Sequence, residues 1–98
     1  MQIVKSIEAN ILNVSLQGRL DTMTAPELEA QIKGDLDTVE GAVLDLAKLE
    51  YVSSAGLRVI LSVHKALAGK KGLVVKNPNE TVSEVFEVTG FSDILTIE

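Results

Sequence analysis

A chain of 98 residues with 46% hydrophobic but only 3% aromatic side chains closes one small core of Val, Leu, Ile and Ala, with no length left for a second domain. Its net charge of -5 at pH 7 argues against nucleic acid or an anionic lipid surface as partner, since both need clustered Lys and Arg, and would steer a basic protein toward it. Cysteine is absent, which excludes disulfides and thiolate metal sites.

No stretch approaches the ~18 apolar residues of a membrane span, and the N-terminus lacks the pattern of a secretion signal, so the cytoplasm is the expected location. Ile3 to Ile7 and Ile11 to Leu16 alternate apolar and polar residues around a short "EAN" connection, which predicts a β-hairpin. In "GRLDTMTAPELEAQIKGDL", Thr24 is a candidate N-cap, Pro26 suits the first turn of a helix, Glu27 and Glu29 suit its positive end, and Gly34 reads as a stop. The apolar run Ala42 to Leu46 predicts a central strand buried on both faces. From Ser54 to Ala68 the residues Leu57, Ile60, Leu61, Leu67 and Ala68 recur at helical spacing, with Val59, Val63 and Ala66 on a second face. Only Arg58, Ser62 and Lys65 make a clearly polar stripe, and Gly69 ends the helix with Lys70 and Lys71 near its negative end. Leu73 to Lys76 is the next strand. "NETVSEVFEVTG" is a helix entered through Asn77 and Pro78 and closed by Gly90, and "FSDILTIE" holds a last short strand. The fold class is therefore α/β, a small mixed sheet with an initial hairpin and crossover helices in the order β-β-α-β-α-β-α-β.

The stretch "EYVSSAGLRVIL" sets two serines before the second helix. Either Ser53 or Ser54 can cap it by accepting a bond from a free first-turn N–H. A nucleophilic role lacks support: Val52 stands where a Gly-x-Ser-x-Gly turn needs its first glycine, and the only histidine, His64, lies about 15 Å farther along the same helix. His64 itself falls on the stripe of Leu57, Ile60 and Leu61, as a partly buried, hydrogen-bonded histidine would; it has no companions for a metal site. The third role is modification, because a phosphate at a helix N-terminus is tolerated locally and still alters a binding surface. Neither Gly-x-x-x-x-Gly-Lys-[Ser/Thr] nor Gly-x-Gly-x-x-Gly occurs, so nucleotide binding has no motif to rest on.

The motifs of the chain discriminate further. Gly18, Leu20 and Asp21 match a Gly-x-Leu-Asp motif after the second strand, Ser54, Gly56 and Leu57 match an Asp-Ser-x-Gly-Leu loop, and Val85, Phe86, Thr89, Gly90 and Phe91 match a closing helix and turn. In these, and along essentially its whole length, the chain resembles the STAS domain of bacterial anti-sigma factor antagonists. That resemblance implies a single STAS domain over residues 1–98 with no catalysis of its own and no cofactor. It implies phosphorylation on Ser54, with Ser53 as the alternative because Ser53 replaces the family's Asp. It also implies capture of an anti-sigma factor that is a serine kinase, release on phosphorylation, resetting by a serine phosphatase, and a monomeric free state. The recognition surface would comprise Asp21, Thr22, Met23 and Thr24 in one loop, Ser53, Ser54, Ala55 and Gly56 in the other, and Arg58 and Ser62 on the outer helix face. Asp21 is either the acid near the site or a turn residue or upstream cap for the next helix. Met23 is either an exposed contact or a hydrophobic staple. The rival reading is a STAS docking subunit of another signalling or transport complex, indifferent to phosphorylation.

Overall fold

The computed structural model describes residues 1–98. Strands β1 (Gln2–Glu8) and β2 (Ile11–Leu20) are followed by helix α1 (Ala25–Ile32), β3 (Gly41–Val52), α2 (Ser54–Ala66), β4 (Gly72–Lys76), α3 (Glu80–Val88) and β5 (Thr96–Ile97), with short 3-10 turns at Asp35–Asp37 and Phe91–Asp93. The expected order of strands and helices is the observed one. β1 and β2 form the antiparallel hairpin, Glu8 facing Ile11. Its two-residue turn holds Ala9 and Asn10 at φ 51° and 65°, a conformation that suits asparagine and strains alanine.

The sheet runs β1-β2-β3-β4-β5, and every pair after the first is parallel. Parallel neighbours joined by right-handed crossovers that always step the same way place α1, α2 and α3 on one face of the sheet. That face carries the core: Leu12, Val14 and Leu16 of β2, Ala42, Leu44 and Leu46 of β3, and Leu73 and Val75 of β4 are all buried. The opposite face has no helix. Its residues Asn13, Ser15, Val43, Asp45 and Val74 are half-buried and Val4, Ser6 and Lys76 are exposed, so the expectation that Ala42 to Leu46 is buried on both faces is corrected to one. With one helical layer, only alternate residues of the run meet the core.

Helix α2 stops at Ala66, two residues before the expected Ala68, because Leu67 leaves helical geometry to become fully buried. Lys70 does not serve the end of α2. Its Nζ donates to the carbonyls of Leu36 and Val39, at 3.3 and 2.9 Å, and so ties down the connection into β3. Lys5 does the equivalent for α1, donating to the carbonyl of Gln31 at 2.6 Å and to Asp35 at 2.8 Å. In α3, Asn79 is the N-cap, accepting from the Val82 N–H at 2.7 Å, and Phe86 is fully buried.

Candidate partner-binding site

β3 is 12 residues long, yet β4 pairs with it only as far as Asp45. Beyond that point β3 keeps β2 as partner, and the two run out as a ribbon past the rest of the sheet. Two register shifts, at Ser15/Gln17 and Gly18/Arg19, bend this ribbon. Gly18 sits in the second shift at φ 106°, where a side chain would be strained, which is the physical reason for glycine in the Gly-x-Leu-Asp motif. Gly18 and Leu20 thus end β2 and do not follow it as the motif reading expected. The ribbon closes with Leu20 opposite Val52, and the Ser53 N–H donates to the Leu20 carbonyl at 2.9 Å. The loop starting at Asp21 and the serines starting at Ser53 are therefore set side by side.

The two serines take separate roles. Ser53 is the N-cap of α2: its backbone is extended, its Oγ accepts from the Gly56 N–H at 3.4 Å, and its carbonyl accepts from the Leu57 N–H at 2.9 Å. Ser54 is the first helical residue, is exposed, and its hydroxyl bonds to nothing else in the chain. Ala55 is half-buried and Gly56 buried, whereas Arg58 and Ser62 lie exposed along the outer stripe of α2, as expected.

In the facing loop the side-chain cap is Asp21 and not Thr24. Asp21 Oδ1 accepts from the N–H groups of Met23 and Thr24 at 3.0 and 3.1 Å. Thr24 occupies the position before α1 without capping it; its Oγ1 accepts from the Asp21 N–H at 2.9 Å and donates to the Arg19 carbonyl at 2.7 Å, closing the loop on itself. The chain has already turned helical by Thr24, so the orphan N–H groups fall to the residue three places earlier. Met23 is 85% exposed and staples nothing, which leaves its other reading, an exposed apolar side chain. Thr22 is exposed beside it and lines a shallow cleft with Ala55 and Arg58 of α2. His64 is half-buried as expected but makes no side-chain hydrogen bond, so that part of its reading is corrected. Sequence reasoning missed Arg19, whose guanidinium lies 4.6 Å over the Tyr51 ring with Nε 3.9 Å from Asp21 Oδ2.

The Asp21 carboxyl is held below its ordinary value of 3.8, first by the Thr24 N–H, with burial opposing, and then by the Met23 N–H, the Thr24 hydroxyl and Arg19. A depressed folded pKa means that this group stabilises the fold fully above the unfolded value and that the contribution disappears as pH falls through the folded one. Asp21→Asn keeps an acceptor for both N–H groups but cannot titrate. Urea midpoints measured between about pH 5 and pH 3 are expected to fall less steeply for Asp21→Asn than for the wild type. Asp21→Ala is expected to be less stable than either at pH 7. Parallel pH profiles for wild type and Asp21→Asn would contradict the assignment.

The family described as "Mlab, STAS domain" matches residues 3–96, and the chain belongs to the STAS-domain family. The Bordetella bronchiseptica protein named "Putative anti-sigma factor antagonist BtrV" is 43% identical over 89 residues, 89% of this chain and 77% of that one. The anti-sigma-B factor antagonist of Listeria monocytogenes is 30% identical over 98 residues, covering 97% and 85%. Among solved structures, the antagonist SpoIIAA in its unphosphorylated form superposes with a TM-score of 0.85 at 20% identity, covering 99% of this chain and 88% of that one. The phosphorylated form of the Bacillus cell fate determinant SpoIIAA gives 0.77 at 19%, covering 99% and 91%. These two establish the shared fold.

Proposed function

We propose that this chain is an anti-sigma factor antagonist, a binding protein switched by phosphorylation of Ser54. Unmodified, it captures an anti-sigma factor that is also its serine kinase; phosphorylated, it lets go, and a serine phosphatase restores it. The observation that carries the reading is the division of labour between the serines. Ser53 is occupied by the helix, while Ser54 presents an unbonded, exposed hydroxyl between the Asp21 loop and the outer stripe of α2. The kinase moves the γ-phosphoryl group of ATP to Ser54 Oγ, the hydroxyl gives up its proton and ADP leaves; hydrolysis returns serine and inorganic phosphate. The added charge of about -1.5 to -2 sits at the positive end of α2, so the fold survives, but beside Asp21 it turns a mixed surface strongly negative. The names borne by the Bordetella and Listeria relatives support the same reading.

The test is intact mass and peptide mapping after incubation with ATP and each candidate anti-sigma kinase, on wild type, Ser53→Ala and Ser54→Ala, with kinase binding measured alongside. One phosphate lost only in Ser54→Ala, together with weaker binding by the phosphoprotein, is expected. The same variants separate capping from switching: Ser53→Ala is expected to lose about 0.5–1 kcal/mol of stability and Ser54→Ala less than about 0.5. No phosphate from any kinase, with a complex that tolerates Ser54→Asp, would put the phosphorylation-independent docking subunit in its place.

A further inference from the structure

Arg58 lies four residues after Ser54 on α2. At that spacing two side chains share a helix face with Cβ atoms about 5–6 Å apart, and an anion N-terminal to a cation is the favoured order. Helical side chains lean toward the N-terminus, so Arg58 reaches back over the turn that begins at Ser54. In keeping with this, Arg58 lines a cleft with Ala55 of that turn and with Thr22 and Ala25 across from it. Glu29 of α1 borders the same cleft, yet Arg58 joins none of the three ion pairs in the molecule, which are Lys5–Asp35, Arg19–Asp21 and Lys71–Glu40. One helical turn after an exposed, unbonded hydroxyl the helix thus carries an exposed, permanently charged fork with no carboxylate engaged.

We infer that Arg58 is the internal receptor for a phosphate on Ser54. The inference rests on the phosphorylation reading above and adds a second element to the switch. The phosphate oxygens accept two parallel bonds from the guanidinium, the geometry for which arginine is preferred over lysine. Phosphorylation then does more than add charge: it withdraws Arg58 from the outer stripe of α2, where an acidic group of the partner would otherwise meet it. The positive end of α2 and Arg58 together hold the phosphate against the helix, so the modified domain stays folded while its surface changes sign.

The test uses the full chain with phosphoserine installed genetically at position 54, which makes it independent of any kinase. The second ionisation of the phosphate, ordinarily near pH 6, is followed by phosphorus NMR in wild type, Arg58→Gln and Arg58→Lys. Asp21, Glu29 and Arg19 are common to all three, so their fields cancel in the comparison. The wild-type midpoint is expected to lie about 0.3 pH units below that of Arg58→Gln, with Arg58→Lys between, as for a helical ion pair four residues apart. The gap should shrink in 1 M salt. Arg58 is exposed, so the substitutions leave the fold intact, which circular dichroism checks. Equal midpoints for wild type and Arg58→Gln at low salt would overturn the inference. If instead the phosphoserine protein binds the kinase as tightly as the unmodified one, the switch falls while the titration still decides the role of Arg58.

Discussion

Phe86→Ala is expected to lower the unfolding free energy by about 3–5 kcal/mol, the range for emptying a buried aromatic site. Phe86 is fully buried and is the largest such side chain in the molecule. It anchors α3, the helix that leads to the short strand β5, and only Val82 of that helix is buried with it. Phe86 belongs to the one continuous buried core, with Val82 one turn before it on the same helix, so its removal leaves a cavity in that core. A domain of this size has only about 5–15 kcal/mol of stability in total, so the variant should unfold at about 2 M less urea with an unchanged slope. Val88→Ala is the matched control: it lies two residues on in the same helix, is 87% exposed, and should shift stability by less than about 0.5 kcal/mol. Equal effects of the two substitutions would mean that α3 is not held by its apolar face.

The hairpin and the helices were legible because their apolar residues repeat at one clear period. Phe86 and Val82, for example, are one helical turn apart, whereas the cap at Asn79 came only from the structure, the sequence having pointed to an entry through Asn77 and Pro78. The uncovered sheet face was not read. In "AVLDLA" the apolar residues Val43 and Leu44 are adjacent, and a short run of this kind does not by itself reveal whether one layer of helices or two lies over it. Asp45 was the available sign. Its Oδ1 accepts from the Ala47 N–H and from Asn77 Nδ2 on the open face, a charge that a strand covered on both sides would have had to bury.

The site was legible in its residue types and only partly in its assignments. That a serine caps α2 follows from elementary helix chemistry, but the choice of Ser53 depends on where β3 ends, and that is fixed by the pairing of Leu20 with Val52. The same dependence hid the roles of Asp21 and Thr24, since both are good caps and the bent end of β2 selects between them. The stacking of Arg19 on Tyr51 could not be found at all. Continuing the register of Ser15 with Asp45 would set Arg19 opposite Leu49, and only the two shifts along the ribbon bring it to Tyr51.

Gly56→Ala is expected to destabilise the domain by about 2 kcal/mol and to disable the site in the molecules that remain folded. A Cβ at Gly56 would stand 2.7 Å from Leu20 Cγ, 2.9 Å from the Leu20 carbonyl oxygen and 2.9 Å from Val52 Cγ2. The carbonyl cannot move aside freely, because it accepts the Ser53 N–H that ties the two loops together. Leu20 and Val52 are both fully buried in the core. Alanine gains less than about 1 kcal/mol in helix propensity, too little to offset overpacking of about 1–3 kcal/mol. Gly34→Ala isolates the propensity effect: Gly34 has helical backbone angles and nothing within 4 Å of a new Cβ, so it should be neutral or slightly stabilised in the same urea titration. Relief of the clash must push the start of α2 away from β2, and with it Ser53 and Ser54 away from the Asp21 loop. Phosphate incorporation at Ser54 should therefore fall even under conditions where Gly56→Ala is fully folded. A Gly56→Ala protein as stable as wild type would show that this close approach does not hold the serine loop in place, and glycine in the Ser-x-Gly-Leu motif would need another reason.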